Sequence, residues 1–65
     1  MEQNIMLTQA QIILSECLKS ETPSIALSLC GLEIDIEQNF SDGVTTYYFD
    51  DNSFIEDHAG ELTAF

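Results

Sequence analysis

The hydrophobic period of this chain changes at Gly31, and that change decides which elements each half can form. Upstream, Ala10, Ile13, Leu14, Cys17 and Leu18 recur at i, i+3, i+4, i+7 and i+8, one stripe of a helix. Thr8 and Gln11 make a T-x-x-Q capping box, and Leu7 and Ile12 stand where a hydrophobic staple belongs. Lys19 suits the negative end of the helix dipole. The pattern predicts a helix over 8–19. Thr22-Pro23 then offers a cap and a first helical residue, with Gly31 as the stop, although Ile25, Leu27 and Leu29 also alternate as in a strand. A strand running from Ser24 to Glu37 would far exceed the usual ~5–6 residues, so a short second helix is favoured.

Downstream the period is two. Leu32, Ile34 and Ile36 are expected to face a core, and Glu33, Asp35 and Glu37 to face water. Ser41-Asp42-Gly43 closes a loop, and Val44 to Asp50 has the β-branched and aromatic content of a strand. Asp51-Asn52 suits a two-residue hairpin turn, which would set Phe49 opposite Phe54 and Tyr48 opposite Ile55. Ala59-Gly60 marks one more turn before a last strand over 61–65. With no internal repeat and no linker, the 65 residues read as one domain, 1–65. The expected fold is α+β: an N-terminal helix and a short second helix packed on a three- or four-stranded antiparallel β-meander.

A domain of this length buries only about 60% of the surface its unfolded chain exposes, which leaves little core from which to build a catalytic pocket. His58 neighbours Asp57, but adjacent strand residues point to opposite faces and do not converge as a base and its orienter. The run from Asp50 fails as a calcium loop, because Phe54 and Ile55 fall where an oxygen ligand and a glycine are required. Two cysteines and one histidine fall short of the four ligands of a structural zinc site. No enzyme, metal or cofactor is expected. Cys17 and Cys30 form no CxxC pair, and the opening MEQNIML, acidic at Glu2 and without a basic region, is not expected to be a secretory leader. Reduced thiols in a cytoplasmic protein are the expectation. No run approaches the ~18 apolar residues of a membrane span.

Charge is where the composition departs from the ordinary. Twelve acids face one base, for a net charge of −11. From Glu33 onward stand Glu33, Asp35, Glu37, Asp42, Asp50, Asp51, Glu56, Asp57 and Glu61, with no Lys or Arg among them. Such a field repels nucleic acid and anionic membranes and attracts basic surfaces. Carboxylates alternating along a strand repeat every ~6.6–6.8 Å, a pitch at which lysine and arginine grip successive phosphates. The candidate partner-binding residues are Glu33, Asp35, Glu37, Asp50, Asp51, Glu56 and Asp57, with Tyr47, Tyr48 and Phe40 as aromatic anchors. Alternating acids are ordinarily only the solvated side of a sheet. A halophile's surface is also acid-rich, but this isoleucine-rich composition is not the usual halophile pattern.

In size and charge the whole chain resembles the acidic inhibitors encoded by phages and mobile elements, among them anti-restriction proteins, anti-CRISPR proteins and inhibitors of DNA repair glycosylases. The resemblance is one of class, without a shared motif, and assigns no residue a role. It implies an inhibitor that mimics nucleic acid and blocks the basic nucleic-acid-binding surface of a host protein. The alternative is a small non-enzymatic adaptor or assembly subunit that docks, or forms a homodimer, through Ile12, Tyr47, Tyr48 and Phe65, its charge serving solubility.

Overall fold

The computed structural model describes residues 7–65. Helix α1 spans Gln9–Cys17, with Thr8 as its N-cap. The capping box is present in both directions: the Gln11 amide donates to Thr8 Oγ1 at 3.2 Å, and the Thr8 amide donates to Gln11 Oε1 at 2.9 Å. The helix stops earlier than the pattern suggests. Leu18 is its C-cap, so Lys19 lies beyond the last turn and pairs with Glu16 at 3.1 Å, both side chains largely in water. An exposed pair of this kind adds little stability. Helix α2, Pro23–Ser28, begins at its proline as expected. Thr22 makes no side-chain cap; its own amide donates to Ser20 Oγ at 3.1 Å.

Four antiparallel strands follow in the order β1-β2-β3-β4: β1 Asp35–Asn39, β2 Val44–Tyr48, β3 Phe54–His58 and β4 Glu61–Ala64. The fold is therefore an α+β meander with two helices packed on a four-stranded antiparallel sheet. Among the described residues no helix is long and apolar enough to cross a membrane. The last turn is the two-residue Ala59-Gly60, with φ of 55° and 91°, the left-handed conformations of a tight hairpin.

The β2–β3 connection differs from the expectation by one residue. Phe49 donates to the Ser53 carbonyl at 2.9 Å and Asn52 donates back to Phe49 at 3.2 Å, with Asn52 at φ 71°. The loop is thus the three residues Asp50, Asp51 and Asn52. Tyr48 pairs with Phe54 and Tyr47 with Ile55. A slip of one residue moves every side chain to the other face. Tyr47, 6% exposed, goes to the core, and Tyr48 goes to the open side.

Among the described residues, helices cover one side of this sheet only. Ala10, Ile13 and Cys17 of α1, Leu27 of α2, and Tyr47, Phe49 and Ile55 of the sheet form the core, with Leu14, Ala26, Cys30, Leu62 and Ala64 packed around it. Phe49, Leu27 and Ile55 are fully buried. Each such side chain contributes about 1.5–3 kcal/mol relative to exposure. Cys17 and Cys30 are free thiols. Helix α1 makes its main sheet contacts with β4 and β3, and α2 with β4. That placement overturns one expectation. Leu32, Ile34 and Ile36 do alternate with acids in sequence, yet they are 62%, 67% and 46% exposed, because the described helices pack on the far half of the sheet and not mainly on β1.

The two halves are joined through the start of α1. The first amides of a helix lack partners within it. Here Gln9 donates to Asp51 Oδ2 at 2.8 Å, Ala10 to Ser53 Oγ at 3.0 Å and Gln11 to Thr8 Oγ1. Ser53 in turn donates its hydroxyl to Asp51 Oδ1. The β2–β3 loop is therefore the acceptor for the helix N-terminus, and it orients α1 on the sheet.

Candidate functional site: the open face of the sheet

Strand alternation assigns the uncovered side. From the pairing register, one transverse row is Asp35, Tyr48, Phe54 and Phe65, the next Glu37, Thr46, Glu56 and Thr63, and the last Asn39, Val44, His58 and Glu61. The first row is aromatic along most of its length. The Tyr48 and Phe54 rings lie 5.8 Å apart and tilted at 46°, and the Phe54 and Phe65 rings are stacked at 5.0 Å. These are favourable aromatic separations, so the row has a defined shape. Asp35 ends this row, the carboxylates of Glu37 and Glu56 lie in the row beside it, and Glu61 lies one row further. Tyr48 joins the two zones by donating its hydroxyl to Glu37 Oε1 at 2.7 Å. That bond, before any effect of burial or of the charges on Glu37, Asp35 and Glu56, pushes the Tyr48 phenol above its ordinary range.

A depression of about 270 Å³ lies next to the aromatic row, lined by Glu37, Asn39, Asp42, Val44, Thr46 and Glu56. Thr46 is buried at its floor. The rim is held by the β1–β2 turn, where Asn39 Oδ1 accepts from the Ser41 amide and hydroxyl and from the Asp42 amide, while Asn39 Nδ2 donates to Asp42 Oδ2 at 3.1 Å. Among the described residues no three His, Cys, Asp or Glu side chains converge as a metal-ligand set. The face offers negative charge and stacked aromatic surface, and the one cation of the chain, Lys19, sits past the far helix, already paired.

The structure brings together Asp35, Glu37, Glu56 and Tyr48 from the candidate residues and separates the others. Glu33 precedes β1 and turns toward the helices, where its Oε1 accepts from the Cys30 thiol at 3.5 Å. Asp57 alternates to the helix side and accepts the Gly60 amide at 3.0 Å. Tyr47 lies in the core, where burial first, then the charges of Asp57 and Glu33, raise its phenol above the ordinary range. Asp50 and Asp51 are in the β2–β3 loop, and Asp51 is committed to the helix amides. Hydrogen bonds from Ser53 and from the Gln9 amide hold the Asp51 carboxyl below its usual range. Phe40, 86% exposed, projects from the β1–β2 turn. A straight file of charge at strand pitch is thus reduced to Asp35 and Glu37 on β1, and Glu56 on β3, across Thr46 of β2, broadens it into a patch three strands wide.

Residues that sequence reasoning missed are Phe54 and Glu61; Phe65 enters it only as part of the adaptor surface. A signal for them exists. The two-residue Ala59-Gly60 turn pairs His58 with Glu61, and counting outward along the strands then pairs Phe54 with Phe65. No family model, no curated protein and no solved structure matches this chain.

Proposed function

We propose that this chain is a non-catalytic binding protein whose open sheet face docks on a cationic surface of a nucleic-acid-binding protein and keeps nucleic acid from it. The observation that carries this reading is the composition of that face: Asp35 at the end of a stacked aromatic row, Glu37 and Glu56 in the row beside it and Glu61 one row further, with no Lys or Arg from Glu33 to Phe65. Carboxylates supply long-range attraction and a fast encounter, while aromatic side chains supply the area over which interface energy concentrates. Among the described residues no Lys or Arg stands on this face, and the one Lys pairs with Glu16 of α1. A partner bearing lysine and arginine compensates the charge of the face, and such surfaces are the ones that hold phosphates. Inhibitors of phage or mobile-element origin directed at restriction, CRISPR or DNA-repair proteins are the class this mode of action suits.

The test is capture on the immobilised chain from a lysate of the presumed host, followed by a challenge of the captured protein with duplex DNA and with RNA. Capture should weaken steeply as ionic strength rises from about 0.05 M to about 0.3 M, the range over which surface charges become screened. Nucleic acid should release the partner. The variant carrying Asp35→Lys, Glu37→Lys and Glu56→Lys should capture nothing while keeping its circular dichroism spectrum. Capture that survives both salt and charge reversal, but is lost with Tyr48→Ala, refutes the reading in favour of an adaptor docked by aromatic contact.

A further inference from the structure

Among the described residues strand β1 is an uncovered sheet edge, and its hydrogen-bonding groups can be assigned. Phe49 donates to Ser53, so the odd residues of β2 turn their backbone toward β3, and the even residues Val44, Thr46 and Tyr48 turn theirs toward β1. Their partners are Asp35, Glu37 and Asn39. Ile36 and Gln38 therefore direct their N–H and C=O groups away from the sheet. The Ile36 amide is satisfied only locally, donating to Asp35 Oδ1 at 2.9 Å, an exposed bond that a new strand can replace. All five residues of β1 are exposed. The other edge, β4, lies under α1 and α2. A trough of about 690 Å³ opens at β1, with Ile34, Asp35, Ile36, Glu37, Tyr48 and Phe54 in its lining.

We infer that β1 accepts an added strand from the partner, an extended segment in which Lys or Arg alternates with aliphatic residues. The inference rests on the proposed binding to a cationic protein and supplies its mode. Backbone hydrogen bonds to Ile36 and Gln38 give the docking, and side-chain alternation gives the specificity. On the open face the basic residues of the added strand lie beside Asp35 and Glu37. On the opposite face its aliphatic residues lie beside Ile36, which is 46% exposed, and the described helices make their main sheet contacts elsewhere, on β3 and β4. A second copy of this chain is a poor occupant. Centring a twofold axis on Ile36 sets Asp35 of each copy against Glu37 of the other, and centring it between Ile36 and Gln38 sets Glu37 against itself. Like charges directly opposite one another destabilise a strand pair, and a charge of −11 on each copy opposes the encounter.

The probe is a short peptide in which Arg and Val alternate, compared by fluorescence anisotropy with a peptide of the same residues arranged in blocks. The alternating peptide should bind about tenfold more tightly, the sum of several cross-strand pairs. It should also slow hydrogen exchange at the Ile36 and Gln38 amides. Gln38→Pro removes an outward amide without touching the β1–β2 ladder, as prolines on sheet edges do. It should abolish the preference for the alternating peptide. Methylating the peptide backbone at the residues facing Ile36 and Gln38 should do the same, a control that leaves the protein unaltered. If both peptides bind equally, or if the methylated peptide binds as well as the parent, edge pairing is wrong. Salt-sensitive capture of the cationic partner that persists in Gln38→Pro would then leave the binding face standing and this mode of docking refuted.

Discussion

Replacing Ser53 with alanine tests the contact that seats α1 on the sheet. Ser53 is 4% exposed, and its hydroxyl accepts the Ala10 amide at 3.0 Å while donating to Asp51. Ala10 is itself fully buried, so in Ser53→Ala its amide has no protein acceptor and no open route to water. An unsatisfied buried amide costs about 1–3 kcal/mol. A core of this size supplies only roughly 3–5 kcal/mol of net stability, so a loss near ~2 kcal/mol removes about half of it. At 4–8 °C per kcal/mol for a domain of this length, the melting temperature should fall by about 8–16 °C. Thermal and urea unfolding followed at 222 nm measure the change, with an unchanged urea slope marking a true stability effect. Thr8→Ala is the reference, since it deletes only the local cap and should cost about 1 kcal/mol. A drop of under about 3 °C for Ser53→Ala, or one smaller than that of Thr8→Ala, would show that the β2–β3 loop does not anchor the helix.

Three further outcomes are expected. Asp51 has its carboxyl held below the ordinary range by hydrogen bonds that exist only in the folded chain, so its contribution is present above the unfolded aspartate pKa and disappears as pH falls through the lower folded value. The stability gap between the native chain and Asp51→Asn should therefore be constant near neutrality and close in acid; a gap independent of pH would contradict the tether. Ala59 holds a left-handed conformation at φ 55° in a turn that favours asparagine before glycine. Ala59→Asn should stabilise by about 0.5–1 kcal/mol in urea titrations, and a loss of stability would mean the turn is not of this type. Glu37→Gln removes the charge that holds the Tyr48 proton, so the phenol should titrate at lower pH, read from tyrosinate absorbance with Tyr48→Phe identifying the transition.

Local signals determined the elements. The T-x-x-Q box placed α1, Thr22-Pro23 placed α2, and the change of period at Gly31 placed the sheet, because capping and side-chain direction depend on neighbours a few residues away. The acidity of the second half was equally plain. Local rules could not say how many residues the β2–β3 loop contains. Asp51-Asn52 reads as a complete two-residue turn, but Ser53, bonded to Ala10 of α1, draws Asp50 into the loop as well. That one residue decides whether Tyr47 or Tyr48 faces outward, and thereby whether an aromatic row exists beside the carboxylates.

Where the helices land was likewise a tertiary matter. Alternation shows that Ile34 and Ile36 share a side, and nothing in it shows that the side is covered. Two short helices span only part of a four-stranded sheet, and these rest on β3 and β4, tied there by the loop that receives the start of α1. The apolar side of β1 is left in water as a consequence, and an expected piece of core becomes a surface. Sequence thus settled what each segment is and which sign of charge it carries. Which charges stand together, and which strand is left open, followed from long-range contacts, because burial belongs to the assembled structure and not to any segment alone.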